Sequence, residues 1–94
     1  MRIVWSIRAR LDRQSLTDFL EAESPMAAVH MTDRIDEAMD LLGEFPNAGR
    51  PGRVAGTREL VIARTPYIAA YQVQSDQVFI LRVLHAAQAW PKAL

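Results

Sequence analysis

The sequence predicts an α+β fold in which a helical hairpin packs on one face of an antiparallel sheet. Hydrophobic residues in the first half recur with the helical period of about 3.6, and those in the second half alternate with a period of 2. A long loop rich in glycine and proline separates the two halves. The predicted order is therefore strand, helix, helix, strand, strand, strand (β-α-α-β-β-β), in a single domain over residues 1–94.

The first half begins with one short strand and a helix. The run of β-branched and aromatic residues at 2–5 favours a strand, and Ser6 is a suitable N-cap for a helix over residues 7–22. The apolar residues of this helix are predicted to share its buried side: Ile7, Leu11, Leu16, Phe19 and Leu20.

A second helix starts at Ser24-Pro25, because serine accepts hydrogen bonds from free N–H groups and proline suits the first helical position. Its apolar residues are spaced three and four apart, which places them on one face: Ala28, Met31, Ile35, Ala38, Leu42 and Phe45. Pro46 ends the helix. Because so few residues join the two helices, we expect an antiparallel hairpin.

The one long loop covers residues 46–56, and three strands follow it at residues 58–62, 67–73 and 78–84. The breaks at Thr65-Pro66 and at residues 74–77 are short enough for hairpins, which predicts an antiparallel three-strand meander. Strict alternation places Arg82 on the same face as Val78 and Ile80. Both faces of this last strand are then largely apolar, so the strand is expected to lie inside the sheet.

Composition excludes several classes of protein. Half of the 94 residues are hydrophobic, so a disordered chain is excluded. No cysteine is present, which excludes disulfides, zinc-thiolate sites and cysteine nucleophiles and suits a reducing cytoplasm. No apolar run approaches the length of a membrane span, and charges return at Arg8 before a signal peptide could form. We expect a cytoplasmic protein that has no membrane partner.

The net charge is zero, but the two halves differ in sign. Residues 1–49 contain five basic and nine acidic residues, whereas residues 50–94 contain six basic and two acidic residues. All basic residues but Lys92 are arginine, which pairs well with carboxylates and phosphates. The second half could bind nucleic acid or an acidic protein segment, or its arginines could be solvated or paired with the acidic helices.

Motifs for metal-dependent, nucleotide-binding or serine-dependent enzymes are absent, so we predict no metal site and no cofactor. His30 lies among acidic neighbours on the second helix and is interpreted as an ordinary exposed histidine. His85 ends the last strand, where it could act as an acid or base near neutral pH or could cap the strand structurally.

Five residues of the meander could contact a substrate or a partner. Arg58, Arg64 and Arg82 could stabilise the transition state of metal-free RNA cleavage, or they could clamp the carboxylates of a bound protein. Tyr67 and Tyr71 are four apart on a strand and so share a face, where they could stack on bases or belong to the core.

Four segments together resemble the RelE/ParE superfamily of bacterial type II toxins. They are the loop at 45–52 with its Gly-Arg-Pro-Gly, the run 57–61, the strand 67–71 with two tyrosines, and the ending 80–91 with Leu-His-x-x-Gln-x-Trp-Pro. The resemblance covers nearly the whole chain. It implies a toxin that a cognate antitoxin neutralises, the antitoxin being typically a DNA-binding dimer whose C-terminal helical segment wraps the toxin.

The superfamily implies one of two activities. RelE-like members cleave mRNA in the ribosomal A site with basic residues, whereas ParE-like members inhibit DNA gyrase. Nuclease members commonly carry a basic residue after the first aromatic of the Tyr-x-x-x-Tyr strand and are basic overall. This chain has Ile68 there and no net charge, and both differences favour the ParE-like activity with a ParD-like antitoxin.

The resemblance and the residues together predict two alternative sets of functional residues. The set predicted for partner binding in a ParE-like toxin is Arg58, Arg64, Tyr67, Tyr71, Arg82 and Trp90. The set predicted for catalysis in a ribosome-dependent endoribonuclease is Arg64, Arg82 and His85.

Overall fold

The structure, a computed structural model that describes residues 1–94, contains two helices and five strands. The elements are β1 Arg2–Trp5, α1 Ile7–Glu23, α2 Pro25–Glu44, β2 Arg50–Pro51, β3 Arg58–Val61, β4 Tyr67–Gln74 and β5 Gln77–His85. The predicted order of elements and the α+β class are confirmed. The sequence-based prediction missed only β2, which lies within the predicted loop and is two residues long.

Both helices begin at the serines that the sequence indicated. The Ser6 hydroxyl accepts a hydrogen bond from the Ala9 N–H at 3.0 Å, and the Ser24 hydroxyl accepts one from the Ala27 N–H at 3.3 Å. Each bond satisfies one of the free N–H groups of a helix N-terminus. Ser24 is the only residue between the helices, which confirms the predicted hairpin.

All five strands form one sheet in the order β1-β5-β4-β3-β2. The β3–β4 and β4–β5 pairs are antiparallel, which confirms the predicted meander, and β1 pairs in parallel with β5. Strand β5 therefore has a neighbour on each side, as expected for a strand with two apolar faces. The two hairpin turns contain the residues with positive φ outside glycine, Arg64 at 64° and Ser75 at 55°.

A β-bulge interrupts the pairing of β4 with β5. Tyr71 lies opposite Ile80, but Ala70 lies opposite Arg82, so Leu81 is an extra residue on β5. An extra residue reverses the alternation beyond it. Val83, and not Arg82, therefore joins Ile80 in the core, and the prediction that Arg82 shares a face with Ile80 is wrong.

The core lies between the hairpin and the sheet. On α2 the buried residues are Met31, Ile35, Ala38, Met39 and Leu42, most of which the sequence predicted. On α1 the buried residues are Ala9 and Leu16, whereas Ile7, Leu11 and Phe19 are exposed, so that part of the prediction is wrong. Helix α1 is turned so that Asp12 accepts hydrogen bonds from Arg82 and from the Val83 N–H of β5.

Neither helix combines the length and the apolar content that crossing a membrane requires.

Candidate functional site

The residues that the sequence singled out have separate surroundings. They are Arg58 on β3, Arg64 in the β3–β4 turn, Tyr67 and Tyr71 on β4, Arg82 and His85 on β5, and Trp90 in the C-terminal segment. The structure brings Tyr67 and His85 into contact, but it gives Arg58, Arg64 and Arg82 three different environments.

Arg82 forms an ion pair with Asp12 of α1. Its Nε donates to Asp12 Oδ2 at 2.8 Å and its Nη2 donates to Oδ1 at 3.1 Å. Asp12 Oδ2 also accepts from the Val83 N–H at 2.9 Å. Both side chains are largely shielded from solvent, and the hydrogen bonds from Arg82 to Asp12 raise the pKa of the guanidinium further. Arg82 therefore fastens α1 to β5, and its donors that face Asp12 are occupied.

Tyr71 and Arg58 hold the loop that precedes β2. Tyr71 is fully buried, and its hydroxyl accepts from the Gly49 N–H and donates to the Pro46 carbonyl, both at 2.8 Å. Arg58 Nη1 donates to the Gly49 carbonyl at 2.8 Å. A Cβ at position 49 would lie 2.6 Å from the Tyr71 hydroxyl, so only glycine fits there. The prediction that Tyr71 contacts a partner is corrected, because burial leaves it no accessible surface.

Replacing Tyr71 with phenylalanine is expected to lower the free energy of unfolding by about 1–3 kcal/mol, because the buried Gly49 N–H loses its acceptor. Urea denaturation of the variant measures the loss. Tyr67→Phe is the matched control, since the Tyr67 hydroxyl makes no hydrogen bond within the chain. Equal stability of the two variants would show that the Tyr71 hydroxyl does not secure the loop.

Glu59 forms a second internal cluster, which the sequence-based analysis did not identify. Its side chain is 2% exposed and accepts hydrogen bonds from Arg50, from the Arg53 side chain and from the Arg53 N–H at 2.7–3.1 Å. Burial alone would raise the pKa of Glu59, but the hydrogen bonds from Arg53 and Arg50 outweigh it and lower the pKa from 4.5 to about 2. The carboxylate therefore stays ionised, and it ties the segment before β3 to the sheet.

Trp90 joins the Glu59 cluster from the C-terminal segment. The Arg53 guanidinium carbon lies 3.7 Å from the centroid of the Trp90 ring, within the range of a cation–π contact. The indole Nε1 is buried and has no hydrogen-bond partner. Trp90 is half-buried, so only part of this predicted contact residue remains accessible.

His85 belongs to a tight turn at the end of β5. Its Nδ1 accepts a hydrogen bond from the Ala87 N–H at 3.0 Å, and its own N–H donates to Gln88 Oε1 at 2.8 Å. The ring packs edge-on against Tyr67, with 5.2 Å between the centroids. The bond to Nδ1 leaves the neutral ring with a hydrogen on Nε2 and no free lone pair to act as a base. The contacts around His85 are those of a strand cap.

Arg64 alone among the predicted arginines is exposed and has no ion pair. It occupies the left-handed region, with φ at 64°, in the turn that leads into β4. Few residues other than glycine and asparagine adopt this conformation without strain. The side chain of Arg64 is exposed in this turn, three residues before Tyr67.

Two of the three residues predicted for a nuclease centre, Arg82 and His85, are engaged within the fold. A nuclease centre needs guanidinium and acid–base groups that are free to meet the substrate. Here Arg82 is paired with Asp12, Arg58 is bonded to the Gly49 carbonyl, and His85 Nδ1 is occupied. No three acidic or histidine side chains lie close enough together to hold a metal ion.

Relatives found by sequence and a neighbour found by structure all belong to toxins or toxin–antitoxin systems. Putative toxin Y4kP of Sinorhizobium fredii is 45% identical over 93 residues, covering 99% of this chain and 96% of the relative. Toxin RelE2 of Caulobacter vibrioides is 39% identical over 87 residues, covering 93% of this chain and 97% of the relative. A chain of the solved structure "Chromosomal ParDE TA system from P. aeruginosa" superposes with a TM-score of 0.79 at 28% identity, covering 90% of this chain and 95% of that one.

The fold and these relatives define the class as a toxin of a type II toxin–antitoxin system. A family model described as "ParE toxin of type II toxin-antitoxin system, parDE" matches residues 3–90. The chain belongs to this family of ParE toxins, which confirms the resemblance to the RelE/ParE superfamily found in the sequence.

Proposed function

We propose that this protein inhibits DNA gyrase in the manner of ParE toxins and that a cognate ParD-like antitoxin neutralises it in the cytoplasm. One observation carries the proposal: two of the three residues predicted for RNA cleavage are engaged within the fold. Arg82 is paired with Asp12, and His85 Nδ1 accepts from the backbone of its own turn. A toxin without a free catalytic centre acts by occupying its target.

Two further features support binding rather than RNA cleavage. The position after Tyr67, where nuclease members of the superfamily commonly have a basic residue, is Ile68, and its side chain is buried. The chain is also electroneutral, and affinity for the phosphates of ribosomal RNA depends on excess positive charge. Both features are compatible with binding to a protein target.

Arg64 is the residue that we propose for contact with the target or with the antitoxin. It is exposed and unpaired, and it comes shortly before the half-buried Tyr67 on β4. An exposed, unpaired guanidinium suits a carboxylate of a partner protein. Arg58 secures the loop before β2 and Arg82 secures α1 to β5, so both of these arginines serve the fold.

RNA cleavage on the ribosome is the second candidate activity, because the relative from Caulobacter vibrioides is named RelE2. For that activity the catalytic residues would be Arg64, Arg82 and His85. It would require Arg82 to leave Asp12 and the turn at His85 to rearrange on the ribosome. The two activities therefore differ in whether internal contacts have to break.

The deciding experiment combines a gyrase supercoiling assay with an in vitro translation reaction whose mRNA is mapped for cleavage. We expect inhibited supercoiling and intact mRNA. Arg64→Glu is expected to weaken the inhibition about tenfold, as reversal of one charge at the rim of an interface would. Arg2→Glu is the matched control, because Arg2 is also exposed but lies at the N-terminal end of β1. Cleaved mRNA with normal supercoiling would contradict the proposal and establish the nuclease activity.

A further inference from the structure

A cleft lies where the β3–β4 turn meets the helical hairpin, and we call it the Arg64 cleft. Its volume is about 290 Å³, and it is lined by Leu20 of α1, by Ala27, His30, Met31 and Arg34 of α2, and by Arg64 and Thr65 of the turn. Leu20, Ala27 and Met31 form its apolar surface. Sites for small molecules usually enclose about 300–1,000 Å³, so this cleft has the size for one or two side chains of a partner protein.

The titratable residues that line the Arg64 cleft are two arginines and a histidine. Arg64 and His30 are exposed, and neither forms an ion pair within the chain. Arg34 pairs only with Glu37 of the same helix, at 3.3 Å, and Glu37 does not line the cleft. No aspartate or glutamate lines it either. An apolar surface edged by guanidinium groups favours an occupant that combines an apolar side chain with a carboxylate.

The backbone at Arg64 is a second, independent indication of a binding site. Its φ of 64° is unfavourable for arginine, and residues held in such conformations cluster at ligand-binding sites. Hydrogen bonds within the turn hold it there: the Thr65 hydroxyl donates to the Ile62 carbonyl at 2.8 Å and accepts from the Tyr67 N–H at 3.0 Å. The turn therefore fixes Arg64 at the edge of the cleft before any partner binds.

We propose that the Arg64 cleft anchors an acidic segment of the cognate antitoxin. The segment inserts one apolar side chain against Leu20 and Met31 and places a carboxylate beside Arg64. This inference rests on the proposed function in one respect, namely that an antitoxin neutralises the protein. An antitoxin that meets the same exposed arginine as the target prevails only if it makes additional contacts. The cleft supplies them next to Arg64, because a side chain enclosed in an apolar pocket slows dissociation.

Two neighbouring alanines of α2 test the cleft. Ala27→Leu fills it, and Ala28→Leu is the matched control, because Ala28 is also half-buried but lines a separate groove that contains Glu21 and Asp33. In calorimetric titrations with the purified cognate antitoxin, we expect Ala27→Leu to raise Kd at least about tenfold and Ala28→Leu to change it less than about twofold. Circular dichroism verifies that both variants are folded. An unchanged Kd for Ala27→Leu, or equal effects of the two variants, would overturn the inference.

Gyrase inhibition by the same variants separates this inference from the proposed function. Ala27→Leu should inhibit supercoiling as the wild type does and yet bind the antitoxin weakly. If Ala27→Leu lost the inhibition and kept its affinity for the antitoxin, the cleft would belong to the target and the inference would be wrong. If the wild type did not inhibit gyrase, the proposed function would fail, and the comparison of Kd values would still decide whether the cleft binds the antitoxin.

A substitution of Arg64 that suits its backbone tests the carboxylate contact. Asparagine adopts a positive φ more readily than arginine does, so Arg64→Asn should be at least as stable as the wild type. We expect it to raise the Kd of the antitoxin about three- to tenfold, by an amount that shrinks as salt screens the charge pair. Arg2→Asn is the control, because Arg2 is exposed on β1. No increase in Kd, or an increase that does not depend on salt, would contradict an acidic segment as the occupant.

Discussion

Replacing Glu59 with glutamine is expected to lower the free energy of unfolding by about 3 kcal/mol at pH 7. Glutamine keeps the shape of the side chain but removes the charge that holds Arg50 and Arg53. The expected size follows from the pKa of Glu59, which the fold lowers from 4.5 to about 2. For a domain of this length, such a loss lowers Tm by well over about 10 °C, which calorimetry measures directly.

The loss should depend on pH, and its direction follows from the lowered pKa. A carboxyl group whose pKa is lower in the folded state stabilises the fold fully above its unfolded pKa of 4.5. That stabilisation fades as the pH falls towards about 2, where Glu59 takes up a proton in the folded protein too. Wild type and Glu59→Gln should therefore differ most above about pH 5 and converge at low pH.

Glu44→Gln provides the control for Glu59. Glu44 ends α2, is exposed and forms no ion pair, so its replacement is expected to change stability by less than about 0.5 kcal/mol at any pH. A Glu59→Gln variant as stable as the wild type at pH 7 would contradict the assigned role of the cluster. A constant difference across the whole pH range would show that the ionisation of Glu59 does not cause the effect.

Local signals predicted the elements of this fold well. The boundaries of α1 and α2 follow from Ser6, Ser24 and Pro25, each of which acts on its neighbours through the N–H groups of one helical turn. The change in hydrophobic period from about 3.6 to 2 likewise indicated where the three-strand meander begins. Such information is contained in a few consecutive residues, so a single sequence is sufficient to read it.

Contacts between distant residues account for what could not be predicted. Asp12 and Arg82 are 70 positions apart, and nothing near either residue indicates the other. Their ion pair, together with the bond from the Val83 N–H, selects which face of α1 meets the sheet, and that choice leaves Ile7 and Leu11 exposed. The bulge at Leu81 likewise becomes visible only in the pairing of β4 with β5.

The same argument applies to the candidate site. Residue type alone made Arg58, Arg82 and His85 resemble a phosphate-binding or catalytic set. The structure gives each of them a partner within the chain, and among the residues predicted for the site only Arg64 keeps its charge free on the surface. Whether a charged side chain serves the fold or a ligand depends on its neighbours in space, which sequence spacing does not contain.

Replacing Asp12 with alanine is expected to lower the free energy of unfolding by about 3–5 kcal/mol, because it leaves the shielded Arg82 charge and the Val83 N–H without a partner. Asp18→Ala is the matched control, since Asp18 lies on the same helix but is exposed and has no ion pair. Urea denaturation of both variants measures the difference.

The double variant D12A/R82M separates the structural role of Arg82 from a role in activity. Methionine fills much of the space of arginine without a charge, so the double variant should regain most of the stability that Asp12→Ala loses. If Arg82 only fastens α1 to β5, the stabilised double variant should still show the gyrase inhibition that we propose for the wild type. Recovered stability with lost toxicity would instead make Arg82 a contact or catalytic residue, because its removal would then act on function without acting on the fold.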